Sequence, residues 1–360
     1  MGLAKGIWMM DVHTHVKTNA EFLGETSEAD DSATNLYYMD RYDVDMCVLT
    51  PSILERNTKV NAAIAKRYPN RFIATCNDMD AQLAAILDGV PWTIEASVKE
   101  IVEQLETGLY KGIGESVPRD RTRKTLITWE ERLDQMCAYF ELARKYKFPI
   151  NWHTGVPIAL PANRNFDMAR TRAHPEMFDN GNPLLAHELA ALYPDVPILF
   201  LHGGVEASGY YLDDYEKILN VAASHHNVFI CCGSWWAELY EKALKDPNIG
   251  AKKLVWACAY GQNNQQQFWM PGCVPETAPC TLTDPSLPVT EGSRSGLQTD
   301  IWGWSLRELG RLNIPQDDLN LILGGNAAWL YGAKLPLPYD RMFKKVNRGF
   351  EYTCMKTILE

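Results

Sequence analysis

Eight short apolar runs of strand-forming composition recur along the chain, and helical patterns alternate with them. The runs are Trp8 to Val12, Asp45 to Thr50, Arg71 to Cys76, Lys111 to Glu115, Pro149 to His153, Ile198 to His202, Val228 to Cys232 and Leu254 to Ala259. Helical spacing is read over Glu55 to Tyr68, Ala96 to Leu105, Trp129 to Lys147, Pro183 to Tyr193, Gly209 to Ser224, Trp236 to Leu244 and Asp300 to Leu312. Strand and helix in repetition require parallel pairing through right-handed crossovers. The runs are nearly continuous in apolar residues, which suits a sheet covered on both faces. Eight such units in 360 residues predict an α/β protein of the (β/α)8 TIM-barrel type. An open doubly wound sheet is the alternative. It is disfavoured because no Gly-rich phosphate turn follows the first run.

No linker, repeat or low-complexity tract divides the chain, so one domain over residues 1–360 is expected. The segment 261–296 interrupts the pattern after the eighth run. It holds Gln262 to Gln267, five prolines, Cys273 and Cys280. A stretch of this length without periodicity reads as a lid over the barrel mouth or as an interface arm. The formal net charge of -10 argues against nucleic acid as a partner. No apolar run is long enough to span a membrane, and the first residues do not read as a signal peptide. Cys47, Cys76, Cys231, Cys232 and Cys258 sit in apolar runs, as small hydrophobes do, so a reduced, cytoplasmic protein is expected. A small-molecule substrate and a homo-oligomer, dimer or larger, complete the expected partners.

The histidines carry the chemistry. His13 and His15 end the first run in D-V-H-T-H, His153 ends the fifth in N-W-H-T-G, and His202 ends the sixth in F-L-H-G-G. C-terminal strand ends of a barrel converge on one mouth, where active sites sit. Residues 13 and 15 are two apart in extended chain, which directs both imidazoles to one side. A third imidazole from across the barrel makes a site for a divalent ion of borderline softness.

Together with Asn61 to Ala74 and the late L-G-G-N-A-A-W-L-Y-G, these motifs resemble the amidohydrolase superfamily. The nearest branch is the amidohydrolase-2 group, which includes aminocarboxymuconate semialdehyde decarboxylase and related aromatic-acid decarboxylases and hydrolases. The resemblance runs from about residue 8 to residue 332. It implies that His13, His15 and His153 ligate one divalent metal, most simply Zn2+ with Mn2+ as the alternative. It implies that His202 acts on substrate or water, and that Asn326 fixes the last barrel turn.

One departure stands out. The family's eighth strand ends in a pattern such as G-T-D-Y-P, whose Asp binds metal and moves the proton. The matching stretch here is W-A-C-A-Y-G, with Ala259 at the position of the expected Asp and Tyr260 beside it. Three readings stay open: an engineered change, a natural divergence, or another acid in its place. Glu115, in K-G-I-G-E, is the leading substitute, because that motif is similar to the metal-ligating G-I-G-E of TatD-type hydrolases. Arg119, with Arg121, Arg123, Arg164, Arg170 and Arg172 on the following loops, suits an anionic substrate. Trp152 and Trp235 are candidate walls for a flat or apolar one.

The sequence therefore predicts a metal-dependent enzyme acting by hydrolysis or decarboxylation on a small organic, carboxylate-bearing or aromatic substrate. His202, Glu115 and position 259 are its candidate catalytic positions. The alternative is a barrel that binds without turnover, inactivated at position 259.

Overall fold

A computed structural model describes residues 6–16, 32–51, 57–115, 118, 120, 122–123, 127–154, 182–204, 212–258 and 301–335. The expectations placed on Arg119, Arg121, Arg164, Arg170, Arg172, Ala259, Tyr260 and the 261–296 segment lie outside these residues.

The eight strands are β1 Met10–Thr14, β2 Met46–Leu49, β3 Phe72–Cys76, β4 Tyr110–Ile113, β5 Ile150–Trp152, β6 Ile198–Phe200, β7 Val228–Cys231 and β8 Leu254–Val255. They form one parallel sheet in sequential order from β1 to β8. With helices between the strands this is a (β/α)8 barrel, as the sequence predicts, and the open-sheet alternative falls. The helices are α1 Ser32–Arg41, α2 Thr58–Arg67, α3 Met79–Leu87, α4 Ile94–Glu106, α5 Trp129–Tyr146, α6 Leu185–Leu192, α7 Leu212–Ser224, α8 Ala237–Lys245, α9 Ile301–Gly310, α10 Gln316–Asn320 and α11 Asn326–Tyr331. A π-helical turn at Leu321–Gly325 joins α10 to α11. Among the described residues, no helix is long and apolar enough to cross a membrane.

Local chemistry accounts for the helix boundaries. Thr128 caps α5 by accepting the Glu131 amide, Glu130 and Glu131 fill the first turn, Arg144 and Lys145 fill the last, and Lys147 ends the helix in a left-handed conformation. The sequence reading did not place α1, α3, α10 or α11. α3, Met79 to Leu87, is apolar on most sides and so shows no stripe.

The apolar side chains form two layers. The outer layer packs sheet against helices and includes Met9, Phe72, Tyr139, Phe140, Phe200 and Trp302. The inner one fills the barrel with Met10, Val12, Met46, Val48, Leu199, Phe229 and Val255, joined by Trp329 and Tyr331 of α11. α11 therefore closes the end of the barrel opposite the histidines. At Gly324 a methyl group would meet the Trp8 carbonyl at 2.3 Å, so only glycine lets the π-turn approach the residues before β1. The Asn326 amide donates to the carbonyls of Ala251 and Leu254 at 2.7 Å each and fixes the entry to β8.

Two features set the mouth. β1 pairs with β2 in a register that shifts by one residue between Asp11 and Thr14. Such a bulge re-aims the side chains around it. Asp11 points to the seam between the first and last strands, where its carboxylate accepts the Trp302 indole N–H at 2.6 Å and the Cys258 amide at 3.2 Å. His13, two residues on, turns into the mouth.

Candidate metal centre

Four imidazoles and one carboxylate meet at the C-terminal ends of β1, β4, β5 and β6. His13 ends β1 and His15 follows it. Glu115 lies two residues past β4. His153 follows β5, and His202 follows β6 within the turn Leu201–Gly204. Glu115 reaches inward because Gly114 takes φ +114 and passes so close to β5 that a methyl group there would sit 2.2 Å from the Asn151 carbonyl.

Glu115 is the centre of the cluster. Its Oε2 lies 2.8 Å from His13 Nε2 and 3.4 Å from His15 Nε2. Its Oε1 lies 2.5 Å from His153 Nδ1 and 3.4 Å from His202 Nε2. The two nitrogens within each pair are also close, at 3.1 Å for His13 and His15 and 3.2 Å for His153 and His202. All four rings and the carboxylate are buried, except that His15 keeps a small opening to solvent.

Burial sets the protonation states. It pushes His15 down to about 4, against the pull of the Glu115 charge. His13 is lowered for the same reason. Burial alone would raise Glu115. The charge of His13 and hydrogen bonds from His13, His153 and His202 outweigh it and hold the carboxyl well below its usual range. The Thr50 carbonyl accepts from His15 Nδ1 at 3.0 Å, which places the ring proton there and leaves a lone pair on Nε2. That lone pair faces an ionised oxygen and a second imidazole nitrogen. A cation among them would be attracted by the ionised oxygen and by that lone pair, so the donor set fits a divalent metal. His13, Glu115 and His202 alone bring three ligand atoms within 4.8 Å of one another.

The structure thus gathers His13, His15, His153, His202 and Glu115 in one place. It puts Trp152 and Trp235 elsewhere: both rings are fully buried. Trp152 meets Phe200 edge to face in the outer core. Trp235 packs against Tyr215 and Tyr240 and donates its indole N–H to the Gly203 carbonyl at 3.0 Å. Two residues of the quoted motifs had no role assigned from sequence. Asp11 accepts the His13 amide at 2.8 Å and so fixes the bulge as well as the seam. Thr154 follows His153 and contacts the turn that bears His202.

Solved structures share the fold. A 4-oxalomesaconate hydratase from Rhodopseudomonas palustris superposes with a TM-score of 0.51 at 14% identity, over 90% of this chain and 96% of that one. A probable 2-pyrone-4,6-dicarboxylic acid hydrolase from Acinetobacter baumannii, with citric acid bound, gives 0.50 at 14% identity, over 90% and 99%. A 5-carboxyvanillate decarboxylase from Novosphingobium aromaticivorans, complexed with manganese and 4-hydroxy-3-methoxy-5-nitrobenzoic acid, gives 0.50 at 13% identity, over 92% and 97%. No curated protein matches the chain by sequence. The amidohydrolase family profile matches residues 10–263, from the first residue of β1 to beyond β8. With more than half its length in that match, the chain belongs to the amidohydrolase family.

Proposed function

We propose that this protein is a metal-dependent carboxy-lyase that removes CO2, without oxidation, from a small aromatic carboxylic acid. The observation that carries the reading is the convergence of four imidazoles on the single ionised carboxylate of Glu115 at the strand C-termini. His13, His15, Glu115 and His153 would hold the ion, Zn2+ in the first place and Mn2+ in the second. Glu115 supplies the carboxylate that the family resemblance expects at position 259. When bound, the ion supplies positive charge against which a substrate carboxylate and a neighbouring oxygen can be held.

The reaction balances as R–COO⁻ + H⁺ → R–H + CO2. The chain must deliver one proton to the carbon that loses CO2, and His202 is the group proposed to hold it. Glu115 is committed on both oxygens and is no free base for water, which favours decarboxylation over hydrolysis. Arg119 and Tyr260 are proposed to contact the substrate. Aromatic or polycarboxylic acids in the names of the three similar structures support the substrate class. A barrel that binds without turnover finds no support in a site whose donors still converge.

A second reading concerns the number of ions. Each oxygen of Glu115 faces its own histidine pair, His13 with His15 on Oε2 and His153 with His202 on Oε1. On this reading His13 with His15 and His153 with His202 would each help Glu115 to hold an ion, and two ions per chain would supply the positive charge.

The test is metal analysis of protein prepared with Zn2+ or Mn2+, followed by a CO2-release assay on 5-carboxyvanillate and a panel of hydroxylated benzoates. About one or two ions per chain and metal-dependent CO2 release are expected. Metal-replete protein that retains no ion overturns the reading, and so does lactone hydrolysis with no CO2 from any acid in the panel.

A further inference from the structure

We infer that Thr154 is a positioning residue whose hydroxyl sets the direction of the His202 ring and ties it to His153. The inference rests on the reading of the cluster as a metal centre and names a group that nothing in that reading requires. His202 has φ 62 and ψ -14, and Gly203 has φ 57 and ψ 33. A left-handed backbone strains a residue with a Cβ, so it persists only where neighbours impose it. Around His202 one side chain makes two of the imposing contacts. The Thr154 hydroxyl donates to the Leu201 carbonyl, before the turn, and accepts from the Gly204 amide, after it, at 3.1 Å. One oxygen therefore engages the turn on either side of His202 and Gly203, with Gly204 itself also at positive φ, 76.

The rest of the pocket leaves the turn nowhere else to go. The Trp235 indole holds the Gly203 carbonyl at 3.0 Å. A methyl group on Gly203 would meet the Cys231 carbonyl at 2.3 Å. Thr154 is fully buried, and its branched Cβ restricts the hydroxyl to few directions. It is also the neighbour of His153 in sequence, and His153 Nδ1 lies 3.2 Å from His202 Nε2. The residue that brackets one ring is thus bonded to the residue that carries the other. The nitrogen spacing of that pair follows from a hydroxyl that touches neither ring.

The experiment compares Thr154→Val, which keeps the shape and removes the hydroxyl, with Thr154→Ser, which keeps the hydroxyl. Metal-stripped protein is titrated with Co2+ and read by its visible absorption. The His202 ring resonance of metal-free protein, assigned through His202→Asn, is read by NMR. Thr154→Val is expected to lose about tenfold or more in Co2+ affinity through the adjoining ligand His153, with an altered spectrum and a displaced His202 resonance, as when the group orienting a ligand is removed. Thr154→Ser is expected to stay within about threefold of the parent protein. A Thr154→Val protein with the parent's isotherm and ring resonance overturns the inference. So does a Thr154→Ser protein as damaged as Thr154→Val, because methyl packing would then be what matters. If Thr154→Val does not fold, the serine variant decides alone, and retention of both parental readouts is required of it. The NMR arm needs no metal, so a parent protein that takes up no Co2+ counts against the metal centre while the ring resonance still judges Thr154.

Discussion

Glu115 concentrates opposing demands in one side chain. Burial would cost this ionised carboxylate dearly, but its histidine partners outweigh that cost in the metal-free protein, and the same charge would attract a cation. Glu115→Gln keeps the shape and removes the charge. Metal affinity is expected to fall by about 100-fold and turnover by about 10²–10⁴-fold. The metal-free variant should unfold below the parent at neutral pH, because a carboxyl held under its ordinary range stabilises the fold there, and the parent should gain much more than the variant on adding metal. Thermal unfolding with and without Zn2+ checks this, and a variant that gains as much as the parent would remove Glu115 from the centre. The ligand candidates were readable in sequence because histidine is scarce, with eight in the chain, and four of them end strand-like runs. Asp11 and Thr154 were not. Their partners Cys258, Trp302 and Gly204 lie far along the chain, and no spacing rule connects them.

At the scale of elements, α3 shows why some helices escaped the sequence. Its preceding residue Asp78 does not cap it, and both Asp78 oxygens accept from Gln82 instead. The cap comes from another helix: Glu100 of α4 accepts the Asp80 amide at 3.2 Å and the Ala81 amide at 2.7 Å. A cap supplied across a helix pair leaves no local motif. It also has a pH cost. Burial, with the Asp78 and Asp80 carboxylates adding to it, pushes Glu100 up to about 8 from its ordinary 4.5. Its folded-state value exceeds its unfolded one, so the stability it contributes is complete below the ordinary value and is lost as pH rises through about 8. Urea midpoints measured across that window should fall with pH in the parent and fall less steeply in Glu100→Gln, where buried Asp11, itself pushed up to about 7, still titrates. Equal slopes would show that Glu100 does not titrate there. By contrast, α5 was legible to its ends because Thr128, Glu131 and Lys147 all lie within it or beside it.

For the whole molecule, the barrel is held at two distant points. Asp11 draws the region after β8 and α9 onto β1, and α11 fills the opposite end. Asp11→Ala leaves three donors unsatisfied, the His13 amide, the Cys258 amide and the Trp302 indole. A loss of at least about 3 kcal/mol is expected, at about 1–3 kcal/mol for each of the three buried donors that loses this acceptor. Denaturant unfolding followed by tryptophan emission measures it, and an unchanged midpoint would mean the seam does not depend on Asp11. The eight-strand order was readable because each apolar run is local, whereas seam and plug join residues from opposite ends of the chain. That separation has a consequence for synthesis. Every candidate ligand lies between His13 and His202, yet the groups that close the barrel around them run from Cys258 to Tyr331. On the ribosome the four imidazoles emerge long before the enclosure that crowds them together, so a growing chain presents them as separate, solvated bases. The candidate centre is written first and assembled last, since its enclosure is complete only after α11 has left the exit tunnel.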